Sequence, residues 1–360
     1  MKKNQKNTPK KRIAYIDVLR AIAIILVLIG HITYQGFNTT ELHRWIYSFH
    51  IPLFFFITGM TTVYTNYSQI SLKNKILKHF YRIYLPFLIW AVFCALPTIS
   101  PISIPYIIYG SHNSLMNVTN SSLWFFPTFF LSSILLDIIL FFINKKRAQS
   151  KLPLILIPLF LLTLVLPPES NINVFLGCTG LPFGISIIPM ALIFMLFGHL
   201  FETYRIKINH SIPFIPKFVI AVILFIITSY FALANTDTNY VLMAENRYGN
   251  LLFFYPGAIF GVLASTLTAL FITKFPPKLY KLVSVIGTNT FVIFTFQRYP
   301  LILMNQFLDY FSLQNISIIF LIVITLFFVL PVCLLVSLFI KKYLPTLAGD
   351  YQPLTKYLQA

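Results

Sequence analysis

Apolar runs of about 17–25 residues recur from one end of this chain to the other, each long enough to cross the hydrocarbon core of a bilayer. Ten such spans are read at about 13–34, 45–66, 83–105, 123–143, 152–168, 185–201, 216–234, 249–272, 282–304 and 315–340. Most contain Gly or Pro, which a membrane helix tolerates when its neighbours satisfy the freed backbone groups. The expected fold is therefore all-α, a polytopic bundle of about ten transmembrane helices. No internal repeat stands out. Of 360 residues, 58% are hydrophobic and only 10% charged, with a mean hydropathy of +0.80, which excludes an ordinary soluble domain.

The cations orient the spans. Cytoplasmic segments carry the excess of Lys and Arg in membrane proteins. With both termini placed in the cytoplasm, the N-terminal tail, four alternate loops and the C-terminal tail hold 23 of the 27 Lys and Arg residues. The exceptions are Arg20, Arg44, Arg247 and Arg298, while Glu41, Glu169, Asp237 and Glu245 fall in the opposite loops. The expected organisation is a basic cytoplasmic tail over 1–12, a transmembrane domain over 13–340 and a cytoplasmic tail over 341–360. The basic start resembles a signal peptide. Asp17 and Arg20 interrupt its apolar run, however, and no small-residue cleavage site follows, so it reads as a retained first span. The net charge of +18 is scattered in short clusters between spans, which argues against nucleic acid as a partner. Cys94, Cys178 and Cys333 have no motif spacing, so neither a metal site nor a disulfide framework is expected.

Two residues of the first span carry the functional signal. Arg20 and His31 are separated by ten residues, AIAIILVLIG. Eleven helical steps make about three turns and about 16 Å of rise, so the two lie in line on one face. A charge at the centre of a bilayer costs about 2.5–3.5 kcal/mol on insertion scales, which makes such residues functional candidates. Asp17, three residues before Arg20, is a polar neighbour able to hold it in an ion pair. The topology puts His31 near the outer end of span one and His50 at a similar depth in span two. His is the usual general base near neutral pH. At the inner end, Lys78 and Arg82 stand i,i+4 before span three; they are either ordinary positive-inside anchors or converge with Arg20 on an anion arriving from the cytoplasm. Arg suits phosphate because its guanidinium is a planar fork of donors.

Weaker candidates follow. Trp124 opens span four as a belt or substrate residue, Arg247 lies in the outer segment NRYGN, and Gln297 and Arg298 lie towards the outer end of span nine. Asp137 is deep enough to pair within the bundle. His43, His79, His112, His199 and His210 are given no role.

The segment YIDVLRAIAIILVLIGH resembles the first helix of the acyltransferase-3 integral membrane acyltransferases, with its Arg, ten residues, then His. SFHIPLFFFITG, RIYLPFLIW, LWFFPTFFLSSILL, LPFGISIIPMALIFMLFGHLF and RYGNLLFFYPGAIFGVLAS extend the likeness, the last two towards the fucose 4-O-acetylase-like, polysaccharide O-acetyltransferase branch. The resemblance implies transfer of an acyl group, usually acetyl, from acyl-CoA to a sugar hydroxyl of an envelope glycan or lipid-linked sugar in the bacterial cytoplasmic membrane. It implies that Arg20 and Arg82 hold the acetyl-CoA donor, to which the spacing adds Lys78, that His31 and His50 are catalytic, and that Trp124 meets substrate. There are two departures. Ser186 stands where many relatives have an acid, and Gln297 where many have a His. The competing expectation is a transporter or flippase for a polysaccharide or lipid-linked sugar.

Overall fold

The computed structural model describes residues 12–350 apart from 34–39, 68–70, 99, 102, 147, 176–177, 209–212, 239 and 314–315. The rest of the basic tail before residue 12, His210, Arg147 and the chain beyond 350 lie outside the described residues.

Among the described residues, the regular elements are helices and one short hairpin. In order, the helices are α1 (Ala14–Gly30), α2 (Glu41–Thr62), α3 (Leu72–Ala95), α4 (Ser103–Tyr109), α5 (His112–Val118) and α6 (Phe125–Lys145). After α7 (Gln149–Val165) come β1 (Asn173–Phe175) and β2 (Cys178–Thr179), paired antiparallel. They are followed by α8 (Ile188–Ile208), α9 (Phe214–Ala234), α10 (Leu251–Ile272), α11 (Pro277–Gly287), α12 (Thr290–Phe296), α13 (Arg298–Tyr310) and α14 (Ile318–Tyr343). Among the described residues, six helices are long and apolar enough to cross a bilayer: α3, α6, α8 with its lead-in from Pro182, α9, α10 and α14. α7 is apolar but shorter.

Two expected spans differ from what is observed. Span three begins earlier, at Leu72, and ends at Ala95, because Pro97 cannot continue the helix and a 3-10 turn takes over. Span nine is three pieces. Asn289, at φ −114 and ψ 11, breaks it first. Pro300, which has no N–H to offer the carbonyl of Phe296, loosens it again at Gln297.

Burial runs opposite to that of a soluble protein. α9 exposes Ile215, Phe218, Val219, Val222, Ile223 and Ile226, and only 22% of its apolar window is inside the protein. α8 is the most enclosed of the six, at 67%. The apolar girdle of such a bundle faces lipid, and the helices that line the centre carry the polar groups.

The centre is held by close contact. A Cβ on Gly198 of α8 would collide with the backbone oxygen of Phe56 on α2, and one on Gly59 of α2 with that of Met195 on α8. Small residues let membrane helices approach at backbone distance, where van der Waals contact drives their association. Polar ties fix the flanks. Asp137 of α6, buried, accepts from the Tyr67 hydroxyl at 2.6 Å, from Lys75 Nζ at 3.0 Å and faces His79 Nε2 at 2.7 Å. The expected pairing of Asp137 within the bundle thus recruits Lys75 and His79 of α3, a helix that then passes through a π turn at Phe80–Tyr84. Arg44 of α2 caps the end of α9 by donating to Leu233 O and Asn235 O.

Replacing Gly198 by Leu is expected to force α2 and α8 apart and to cost more than the ~1–3 kcal/mol typical of overpacking, since the obstruction is backbone. A Gly198→Leu protein should show a clearly lowered melting temperature in detergent, whereas Leu substituted at lipid-facing Ile223 should not.

Candidate active site

α1 ends where the site begins. His31 follows its last residue, Gly30, and its Nδ1 lies 2.8 Å from Val27 O, one turn back. On α2, His50 does the same: its Nδ1 lies 2.9 Å from Ile46 O. A carbonyl oxygen only accepts, so each ring carries its proton on Nδ1 and keeps the lone pair of Nε2 for something else. The two rings line one cavity of about 180 Å³, together with Tyr47, His112, Ser122, Trp124, Met243 and Phe294. The ring of Phe294 stands edge-on to His31 at 6.4 Å, and Tyr47 lies 4.7 Å from His50.

Trp124 is therefore a wall of this cavity. It is buried at the end of the 3-10 turn Ser121–Trp124 that leads into α6, and is no lipid-facing belt residue. Gln297 is buried too, one turn beyond Phe294 on the same helical face. Neither its side-chain oxygen nor its nitrogen has a hydrogen-bond partner among the described residues. Beside it, Arg298 reaches Asn120 Oδ1 at 3.4 Å, and that same oxygen accepts from Ser122 N.

Arg247 sits outside the cavity. It pairs with Glu245 at 2.8 Å and lines a separate, open hollow of about 410 Å³ with Thr236, Asp237, Thr238 and Tyr240. The strip Val241–Ala244 divides the two spaces, because its residues line the inner one while Tyr240 and Arg247 line the outer.

The basic end of α1 is elsewhere. Arg20 is half-buried and held by Asp17 at 3.1 Å, the ion pair the sequence offered. The charges of Arg82 and Arg12 are felt at Arg20, so three guanidiniums gather at that end. Arg82 is exposed and its Nε reaches Gly349 O at 3.4 Å. Lys78 is exposed on the same helix, four residues before Arg82, which lies within the π turn Phe80–Tyr84.

Cations at one end of a helix and two basic imidazole nitrogens in a cavity at the other end form a site with separate places for an anion and for a reacting group. The acyltransferase domain of the acyltransferase-3 family matches residues 13–338. The chain belongs to that family. It is a multi-pass membrane acyltransferase by family and by its helices. Comparison with curated proteins and with solved structures gives no significant match.

The position without an acid, Ser186, gains one from another segment of this acyltransferase. Its hydroxyl bonds Glu169, whose other carboxylate oxygen accepts from Leu181 N at 2.6 Å. Glu169 is buried in the turn before the hairpin, and burial pushes its carboxyl up to about 7. Sequence distance hid this pairing, as it hid His112, whose short helix α5 is neither long nor amphipathic enough to announce a site.

Two outcomes follow from this geometry. An unpartnered buried amide costs roughly 1–3 kcal/mol, so Gln297→Leu should raise the melting temperature of the ligand-free protein. For Glu169, the folded value of about 7 lies above the ordinary 4.5, so its contribution to stability is complete below 4.5 and is lost as pH rises through about 7. Glu169→Gln, which cannot ionise, should flatten the decline in melting temperature across that window.

Proposed function

We propose that this acyltransferase moves an acyl group, acetyl first among the candidates, from cytoplasmic acyl-CoA to a hydroxyl of an envelope or exported polysaccharide, or of its lipid-linked sugar. Its place is then the bacterial cytoplasmic membrane. Ten crossings fit the elements in order: α1, α2, α3, α6, α7, α8, α9, α10, the kinked pair α12 and α13, and α14. Both termini then face the cytoplasm. Under this topology the short helices α4 and α5, the hairpin and the strip 241–244 all come to the outer face, beside the cavity. Arg12, Arg20, Arg82 and the segment around Gly349 come to the inner face.

The donor's phosphates dock at Arg20 and Arg82, with Lys78 adding charge at the rim. About 16 Å of helix separates Arg20 from His31, a gap that the extended arm of the donor spans inside the bundle. At its end the thioester meets His31. The Nε2 lone pair of that ring is the group that acts there, as base towards the acceptor hydroxyl or as carrier of the acyl group. His50 presents a second acceptor nitrogen that orients the reacting groups. The unpaired amide of Gln297 offers one donor and one acceptor to the substrates, and Trp124 gives a sugar a flat apolar wall. Arg247, in the outer hollow, meets the glycan beyond the reacting sugar.

The observation that carries this reading is the Arg20–His31 axis. One helix has a cation cluster at one end and a cavity-lining imidazole, fixed in its Nδ1–H tautomer, at the other.

Inverted vesicles loaded with envelope glycan extracted from cells lacking the protein, and supplied from outside with radiolabelled acetyl-CoA, provide the test. Wild type should move label to glycan. His31→Ala should lower that rate by about 10²–10⁴-fold, the usual contribution of a positioned base. Arg20→Gln should mainly raise the KM for acetyl-CoA. Full transfer by a folded His31→Ala protein would sink the assignment, and glycan movement that needs no acyl-CoA would point to a transporter.

A further inference from the structure

Among the described residues, three imidazoles line the cavity and one of them, His112, is backed by a carboxylate. His112, at the start of α5, has its Nδ1 3.3 Å from Asn113 Oδ1 and 3.8 Å from Glu245 Oε1. Both neighbours are acceptors, so the ring proton sits on Nδ1 and the Nε2 lone pair is left over, as in His31 and His50. The difference lies in what stands behind the ring. His31 and His50 lean on neutral backbone carbonyls. His112 leans on an anion that Arg247 holds from its far side at 2.8 Å. A carboxylate behind an imidazole stabilises the imidazolium that forms when the ring takes a proton, and fixes its orientation.

Glu245 also belongs to the loop whose residues Val241–Ala244 wall the cavity and whose Arg247 lines the outer hollow. His112 is thus the cavity imidazole tied to the face from which an acceptor arrives.

We propose that His112, oriented by Glu245 and Arg247, is the base that deprotonates the acceptor hydroxyl, leaving His31 to take the acyl group. The proposal rests on the acyl-transfer reading above. In the first step His31 Nε2 attacks the thioester carbonyl: an N–C bond forms, the C–S bond breaks, and the electron pair leaves on the donor's thiolate. In the second step the acceptor oxygen attacks the acyl carbon as its proton passes to His112 Nε2. The C–O bond forms, the N–C bond breaks, and His31 is restored. His112 then returns its proton through water to the thiolate, and the balance closes as ester plus thiol.

The titratable groups around His112 are Glu245 and Arg247 on the loop, and His31, Tyr47 and His50 across the cavity. Burial pulls its pKa below the ordinary value and Glu245 opposes this. Removing the carboxylate by Glu245→Gln should keep His112 neutral to lower pH. Removing the guanidinium by Arg247→Gln should do the opposite.

The test measures two reactions of the full-length protein in vesicles. One is exchange of labelled CoA into acetyl-CoA without glycan, and the other is acetyl transfer to the unacetylated glycan extract. His112→Gln should leave exchange within a few-fold of wild type and lower transfer by about 10²-fold or more. The acidic limb of the transfer profile should move to lower pH in Glu245→Gln and to higher pH in Arg247→Gln. Undiminished transfer in His112→Gln, loss of exchange and transfer together, no exchange in wild type, or limbs that stay put would each overturn the proposal. A wild type that acetylates no glycan at all would instead remove the acyl-transfer reading beneath it.

Discussion

The cavity depends on how near α2 can come to α8. Two glycines, Gly59 and Gly198, each face the other helix's backbone, and no side chain intervenes. In lipid there is little hydrophobic force to press helices together, so contact of this kind sets their spacing. α2 carries Tyr47 and His50, and α8 is the most enclosed helix of the six that can span. Were α2 to move outward by one side chain's width, His50 would leave the wall it shares with His31 on α1. The shape of the cavity is thus a by-product of tight backbone packing further along the same helices.

Around this rigid centre, polar groups are placed where their cost is offset. Asp137 gathers Tyr67, Lys75 and His79, and Asp17 holds Arg20. An ion pair of this kind contributes modest net stability, yet breaking one partner leaves an uncompensated charge. Gln297 is the contrast, buried with no partner among the described residues for either polar side-chain atom. Residues that violate the local rules of burial tend to sit at working sites, and this one lies one turn from a cavity wall.

Much of this was legible in the sequence because it is encoded by spacing along single helices. The Arg20–His31 register needs only the helical repeat, and His50 follows from a short loop between two spans. The helical class and several spans follow from run length. What escaped depends on contacts between distant segments. Glu169 reaches Ser186 across the hairpin, and His112 meets Glu245 from a short helix and a turn far apart in the chain. Span nine reads as one run in the sequence because Asn289 and Pro300 act on backbone bonds that an apolar run does not reveal.

The loop 235–250 is closed on itself. Asn235 donates to Tyr248 O at 2.8 Å and accepts from Asn250 N at 2.8 Å, so one side chain clasps both ends. The middle of the loop is tied outward as well, where Asn246 donates to Leu166 O at 3.1 Å and Pro167 O at 3.0 Å just beyond α7. A loop clasped at its base and tied at its middle keeps its shape whatever fills the space beneath it, so the wall it gives the cavity is built in advance of any ligand and its ordering cost falls on folding and not on binding.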